Sequence, residues 1–289
     1  MRYLKQFLLL LLLCVFFSVQ YANAAVSSIA ISPEIVFQGD PILITITDKQ
    51  LPKAITFGGE PISAFFHSGN PAALIGIDLK KPAGNYNLRI TLQNGEKIVK
   101  TVHISKREKY EAPLGIPAKL GGNTTASAVN LVNTLAQENQ ILNKLKTGTK
   151  AFWTEKFRAP VANPIITDTY GYTRNTVGYS IAHKGTDFRA PEGTEVLAMN
   201  RGVVRVARTF RNYGKTIVVD HGLGLQTLYM HLSKIYVNEG ELVLPGQLIG
   251  RSGQTGYAEK PHLHLSVKVK GVSIDPVKFL ALFGEAMKP

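Results

Sequence analysis

The apolar positions in the first third of the chain fall in short runs broken by turn residues. Runs at 29–31, 41–47, 54–57, 73–77, 86–92 and 99–104 are separated by Asp48, Gly58-Gly59, Gly69-Asn70-Pro71, Pro82-Ala83-Gly84 and Asn94-Gly95. Within 43–47 and 86–92 apolar and polar residues alternate with the period of two that marks a half-buried strand. Asn94-Gly95 between two such runs predicts a tight hairpin. Strands at a spacing of roughly 8–12 residues predict a small β-sandwich of immunoglobulin-like type over 25–105. His67 and His103 lie here, far in sequence from any other candidate ligand, and read as ordinary surface or core histidines.

The pattern then changes. Pro113, Gly115, Pro117 and Gly121-Gly122 make 106–123 a linker. Val129, Val132, Leu135, Ile141, Leu142 and Leu145 recur at helical spacing over 124–146, with Gly148 as a stop, so 106–150 is read as linker and helix. From 151 onward strand-like runs return, at 194–198, 202–207, 216–220, 226–231 and 262–270, with glycines between or beside them. Nothing alternates as βαβ units do. The expectation is a mainly β chain whose residues 151–289 form an antiparallel-sheet domain.

The first 24 residues stand outside this scheme. Arg2 and Lys5 precede an apolar run of 11 residues at 7–17, and Ala22-Asn23-Ala24 places small residues before Ala25. That is the layout of a secretory signal peptide over 1–24. An uncleaved anchor is the alternative, but the run is well short of the ~20 residues that span a bilayer as a helix. Cys14 is the only cysteine; Leu13 before it argues against a lipoprotein site. The exported chain then has no disulfide, and its stability comes from packing. No later segment is apolar enough to span a membrane.

Charge bears on partners. The chain has 33 Lys and Arg against 20 Asp and Glu; loss of Arg2 and Lys5 with the leader leaves 31 against 20, a net charge of +11. The cations are scattered and no nucleic-acid motif is present, so no nucleic-acid partner is expected. Peripheral attraction to an anionic wall or membrane surface is the simpler reading, with solubility alone as its rival.

Five of the seven histidines lie between 183 and 264. Over 261–270 the sequence alternates strictly: His262, His264, Ser266, Lys268 and Lys270 share one strand face, and Leu263, Leu265, Val267 and Val269 share the other. Residues two apart on a face sit about 6.5–7 Å from each other. One imidazole can then hold a metal while its neighbour reaches what the metal binds, although a polar strand face is the plainer account. His183 and Asp187 are four apart, on one face of a helix or a strand, with Gly185 weakening the helix option. Thr227, Tyr229 and His231 share a face by alternation. His221 marks a strand end and turn, which suits a structural role. Clustered histidine with a carboxylate and no cysteine fits a catalytic zinc site, with three protein ligands and an open position, better than a calcium or magnesium site. Further histidines remain for acid, base or oxyanion roles.

As a set these residues resemble the lysostaphin-type, LytM-like zinc endopeptidases. The resemblance runs through His183-Lys184-Gly185-Thr186-Asp187, Ala190-Pro191-Glu192-Gly193-Thr194, Tyr229-Met230-His231-Leu232, Gly246-Gln247-Leu248-Ile249-Gly250 and Pro261-His262-Leu263-His264, over about 151–280. It implies one zinc ion held by His183, Asp187 and His264, with His231 and His262 as catalytic histidines. It also implies peptides of bacterial peptidoglycan, in cross-links or stems, as substrate, and a place in the periplasm, the cell wall or outside the cell. Tyr257-Ala258-Glu259-Lys260 departs from the small residues usual before the Pro-His pair, which affects substrate preference. Arg174, in an aromatic-glycine-arginine segment, faces substrate or makes a structural salt bridge. A non-catalytic wall-binding or amidase-regulating relative is the second reading, and a histidine-based metal store the third. The N-terminal segment either positions the enzyme on the wall or covers its cleft.

Overall fold

The computed structural model describes residues 28–108 and 110–284. The expected signal peptide lies outside the described residues. Among those that are described, no helix is long and apolar enough to cross a membrane.

The chain is mainly β. Near its N-terminus, Ile29–Ser32, Pro41–Ile46, Asn70–Gly76 and Ala64–His67 form a four-stranded antiparallel sheet in that spatial order. Val36–Phe37, Lys97–Ser105, Gly84–Thr91, Ala54–Phe57 and Glu60–Pro61 form a five-stranded sheet, antiparallel except where Val36–Phe37 pairs in parallel with Lys97–Ser105. Ile42, Ile44, Ile46 and Ile75 of the first meet Ile55, Leu88, Ile90 and Ile104 of the second in one apolar core. At the Asn94-Gly95 turn Gly95 adopts a φ of 87°, and Leu92 N–H donates to the Glu96 carbonyl.

One expectation fails here. Pro41–Ile46 is not half-buried, because both of its faces are covered. Leu43, Phe65, Ala72 and Leu74 on the outer face of that sheet belong to the same core as Val269, Phe279 and Phe283 of the C-terminal half. Phe65 meets Trp153 edge-on at 5.1 Å. Alternation marks which residues face inward; it cannot tell that a second layer covers the other side. An ion cluster around a buried carboxylate fastens the same seam: Asp40, fully buried, accepts from Arg107 and from Lys278 at 2.7 Å, and Arg107 also reaches Asp275.

The linker carries a strand that its proline and glycine content argued against. Glu111–Pro113 pairs in parallel with Thr173–Thr176. Pro113 is tolerated because the strand lies at a sheet edge, where no N–H is needed from it. Helix α1 spans Thr125–Asn143 and is capped by the Thr124 hydroxyl, which accepts from Ser127 N–H. Its buried residues are Ala128, Leu131, Glu138 and Leu142, whereas Val129 and Ile141, expected inside, are exposed. The hydrophobic pattern missed this face because Glu138 lies in it, with its carboxylate accepting from the backbone N–H groups of Asn212 and Tyr213.

The C-terminal half is built on an eight-stranded antiparallel sheet. Its path runs Ile166–Asp168, Thr186–Arg189, His262–Val269, Leu225–Leu232, Gly214–Gly222, Gly202–Phe210 and Leu242–Val243, and Val272–Ile274 pairs with His262–Val269 off the path. Leu263, Leu265 and Val267 point into the core with Tyr229 and Phe188. Helix α2, Pro276–Phe283, packs on that core through Phe279, Leu280 and Phe283. Asp275 caps it and Pro276 occupies its first turn, the ordinary start signal of a helix.

Candidate metal centre

Three elements bring the site together. Asp187 on Thr186–Arg189 stands directly across from His264 on His262–Val269, so the two side chains share a face. His183 enters from the turn that precedes Thr186. Gly185 makes this turn close: a Cβ there would collide with the His264 ring and come within 2.5 Å of the Leu265 carbonyl. Gly185 therefore answers to close packing.

The donor atoms converge. His264 Nδ1 lies 2.7 Å from Asp187 Oδ1, His183 Nε2 lies 3.2 Å from the same oxygen, and the two nitrogens are 3.1 Å apart. Tetrahedral ligands with bonds of ~2.0–2.1 Å stand about 3.3–3.4 Å from one another. The triad thus matches one face of such a polyhedron after small side-chain shifts, and its nitrogen and oxygen donors suit zinc.

The outer atoms of each ligand fix its tautomer. His183 Nδ1 donates to the Thr169 carbonyl at 2.7 Å, which leaves Nε2 with its lone pair toward the triad. Ser266 Oγ donates to the Lys184 carbonyl and so accepts from His264 Nε2, 3.0 Å away, freeing His264 Nδ1. The second oxygen of Asp187 accepts from Arg174 at 3.1 Å. Arg174 also donates to Asp168 at 2.9 Å and to the Tyr172 hydroxyl. Of the two roles left open for Arg174, its contacts are those of an ion pair that orients Asp187.

Electrostatics agree with metal-ready donors. Burial pushes the His264 imidazole down to about 4, so it is neutral near pH 7. Burial opposes ionisation of Asp187, yet the adjoining imidazoles of His264 and His183 outweigh it and hold this carboxyl well below the usual range.

His231 and His262 lie beside the triad. Their ring centroids are 4.9 Å apart, and His231 is 5.9 Å from His264. His231 does not share a face with Thr227 and Tyr229, contrary to expectation. Tyr229 pairs with Ile217 and Leu232 with Lys215, so Met230 and His231 together oppose the single residue Thr216 in a β-bulge. His231 adopts a φ of 62°, rare for a residue with a side chain. That turn swings its ring out of the Tyr229 face and over to the His262 side. Its Nδ1 donates to the Thr255 carbonyl at 2.9 Å, and burial, followed by the neighbouring His262 and His264, pulls it down to about 3. His262 Nδ1 donates to the Lys260 carbonyl at 2.8 Å, and its Nε2 lies 3.8 Å from Asp187 Oδ2. Both histidines therefore present an Nε2 lone pair to the site.

His221 is elsewhere and wholly buried, its ring held by the Arg201 carbonyl, the Thr227 hydroxyl and an edge contact with Phe157. His67 packs on Phe283, and His103 bonds Asn85. A cavity of about 410 Å³ opens onto His183, His231 and His264 and is roofed by α1 through Leu131, Leu135 and Leu142. The sequence showed no chemistry in α1. Its place over the site rests on Glu138 and on the Tyr213 hydroxyl bonded to Asn139.

Residues 181–276 match peptidase family M23. Over 96 residues the chain is 44% identical to the peptidoglycan DD-endopeptidase ShyA of Vibrio cholerae, a match to 33% of this chain and 22% of that protein. It is 34% identical over 119 residues to the DD-carboxypeptidase/endopeptidase Mpg of Neisseria meningitidis, covering 41% and 27%. The chain thus spans about a quarter of the length of these curated relatives. A solved putative peptidase M23 from Pseudomonas aeruginosa has the same fold across 86% of this chain and 96% of its own, with a TM-score of 0.62 at 23% identity. The triad, the two further histidines and the strands that carry them all fall inside the matched segment, and residues 181–276 of this chain are a peptidase family M23 domain.

Proposed function

We propose that this chain is an exported zinc endopeptidase that hydrolyses peptide bonds in the cross-links or stems of bacterial peptidoglycan. The observation that carries this reading is the convergence of His183 Nε2, Asp187 Oδ1 and His264 Nδ1 within 3.2 Å of one another, each outer atom bonded so that a lone pair faces inward. Names of relatives that act on peptidoglycan support the substrate class.

In this reading His183, Asp187 and His264 hold the ion. Zinc bound there supplies a Lewis acid that polarises the scissile carbonyl and acidifies a water. His262 and His231, each with Nδ1–H donated to a backbone carbonyl, offer Nε2 to that water's proton. An imidazolium at His262 faces Asp187 Oδ2, which favours His262 as the base. His231, which burial keeps neutral, is the poorer proton acceptor and contacts the reacting carbonyl or the leaving amine. The proton taken by the base passes to the leaving nitrogen.

The same reading divides the chain into a signal peptide at 1–24, an immunoglobulin-like β-sandwich at 25–105, a linker with helix at 106–150 and the zinc peptidase domain at 151–289. It places the protein in the periplasm or at the cell wall. The test is digestion of purified sacculi by the zinc-loaded chain, with the released fragments identified by mass spectrometry. Loss of peptide cleavage in His264→Ala, with the fold retained, supports the reading. Stoichiometric zinc without any released peptide favours the non-catalytic wall-binding alternative.

A further inference from the structure

The cavity under α1 has a one-sided charge. Lys80, Arg174, Lys184 and Lys268 line it, and among the described residues no aspartate or glutamate does. Arg174 is neutralised by Asp168 and Asp187. Lys268 is not neutralised in this way. It is only 5% exposed, its Nζ donates to the uncharged Asn143 carboxamide at 3.0 Å, and no carboxylate among the described residues lies within ion-pair distance. An ammonium so placed is costly unless an anion joins it. Burial and the nearby Lys184 also lower its proton affinity, to about 8, the signature of positive charge lacking a counter-charge.

Its position relates it to the metal ligands. Lys268 lies four residues beyond His264 on the same strand and the same face, with Ser266 between them. At ~3.3 Å per residue the separation is about 13 Å, the length of roughly four residues of an extended peptide. An extended chain with its scissile bond at the triad and running under α1 would bring a group at that distance to Lys268.

We infer that Lys268 is a specificity-determining residue that receives a free carboxylate of the substrate peptide, on the order of four residues' length from the bond cut. This rests on the peptidase reading above. The Asn143 carboxamide oxygen accepts a hydrogen bond from one of the three ammonium N–H groups and leaves the others for the carboxylate. An amidated or uncharged group in that place would leave the ammonium buried without an anion.

The experiment uses the zinc-loaded chain and two probes: a cross-linked dimer of stem peptides with its terminal carboxylate free, and the same dimer with that carboxylate amidated. The wild type is expected to favour the free acid about ten-fold in kcat/KM, mainly through KM. Lys268→Met should lose that preference and cleave the two dimers at nearly equal rates, and Lys268→Arg should keep it. Equal rates of the wild type on both dimers, or an equal slowing of both in Lys268→Met, would overturn the assignment, since a merely structural lysine has that effect. If no dimer is cut, the peptidase reading falls, and calorimetry judges Lys268 by itself. Tighter binding of the acid that is lost in Lys268→Met upholds the carboxylate site; equal binding of the two, or none, overturns it.

Discussion

Asp187 and His264 face each other across adjacent antiparallel strands, with Asp187 Oδ1 2.7 Å from His264 Nδ1 and Asp187 Oδ2 held by Arg174. The carboxylate is thus divided between one oxygen for the triad and one for its support. Removing the support should loosen the ligand without removing it. Arg174→Gln is expected to weaken zinc binding by about 10- to 100-fold, the usual effect of losing such a partner. Competition with a chromogenic chelator measures this; unchanged affinity with the fold intact would show that Asp187 needs no second anchor.

Ser266 makes the matching prediction for His264. Its hydroxyl accepts from Nε2 while donating to the Lys184 carbonyl, so it selects the tautomer with Nδ1 free. Ser266→Ala leaves both tautomers open. Zinc affinity should again fall by about ten-fold or more, and the imidazole nitrogen shifts of the metal-free protein should show mixed tautomers. A single Nε2–H tautomer in the variant would count against this role.

Much of this was legible beforehand, for physical reasons specific to each residue. The strict alternation over 261–270 fixed which face carries His262 and His264, because residues two apart in a strand share a face. The strand Thr186–Arg189 was not marked as one, since three of its four residues are buried and no alternation survives. His231 was placed on the wrong face because a bulge changes the parity of every residue after it, and no residue type in Tyr229-Met230-His231-Leu232 signals one. The supports from Thr169, Thr255 and Lys260 are backbone carbonyls, which carry no sequence signature. Lys268 stood in the alternating pattern as one more polar residue, and its partner, Asn143 of α1, lies more than a hundred positions earlier.

The left-handed backbone of His231 gives a prediction about stability. Asn tolerates a φ near 62°, whereas a β-branched residue does not. His231→Asn and His231→Val both remove the imidazole and should both abolish peptide cleavage. They should differ in folding free energy by about 1–2 kcal/mol in favour of Asn. Urea unfolding of the two variants decides it; equal midpoints would mean that the bulge relaxes at no cost.

Glu138 anchors the roof of the cavity. Its carboxylate takes the N–H groups of Asn212 and Tyr213, 2.9 and 3.4 Å away. Glu138→Ala strands these donors beneath α1 and should cost about 2–4 kcal/mol. Hydrogen exchange should accelerate across Thr125–Asn143 and at Asn212 and Tyr213, with the central sheet still protected. If exchange in α1 is unchanged, the helix is held by its apolar contacts alone.

Acid should destabilise the metal-free protein through its buried histidines. Burial lowers His221 and His264 to about 4 and His231 to about 3 in the folded chain, against the ordinary imidazole value of 6.5. Below pH 6.5 the unfolded chain binds protons that these rings refuse, so stability falls as pH drops from about 6.5 toward 4. Asp187 acts in the same direction at lower pH, since its depressed carboxyl stabilises the fold only while ionised. His221 isolates the effect, because it lies away from the triad and its ring is wholly buried. His221→Gln should be less stable at pH 7, for lost packing and hydrogen bonds, but its stability should decline less steeply between pH 6.5 and 4.5. The difference in slope reports the proton that His221 takes up only on unfolding. Bound zinc requires neutral His183 and His264, so metal should be released over the acid range as well, and retention of zinc at pH 4 would contradict this ligand set.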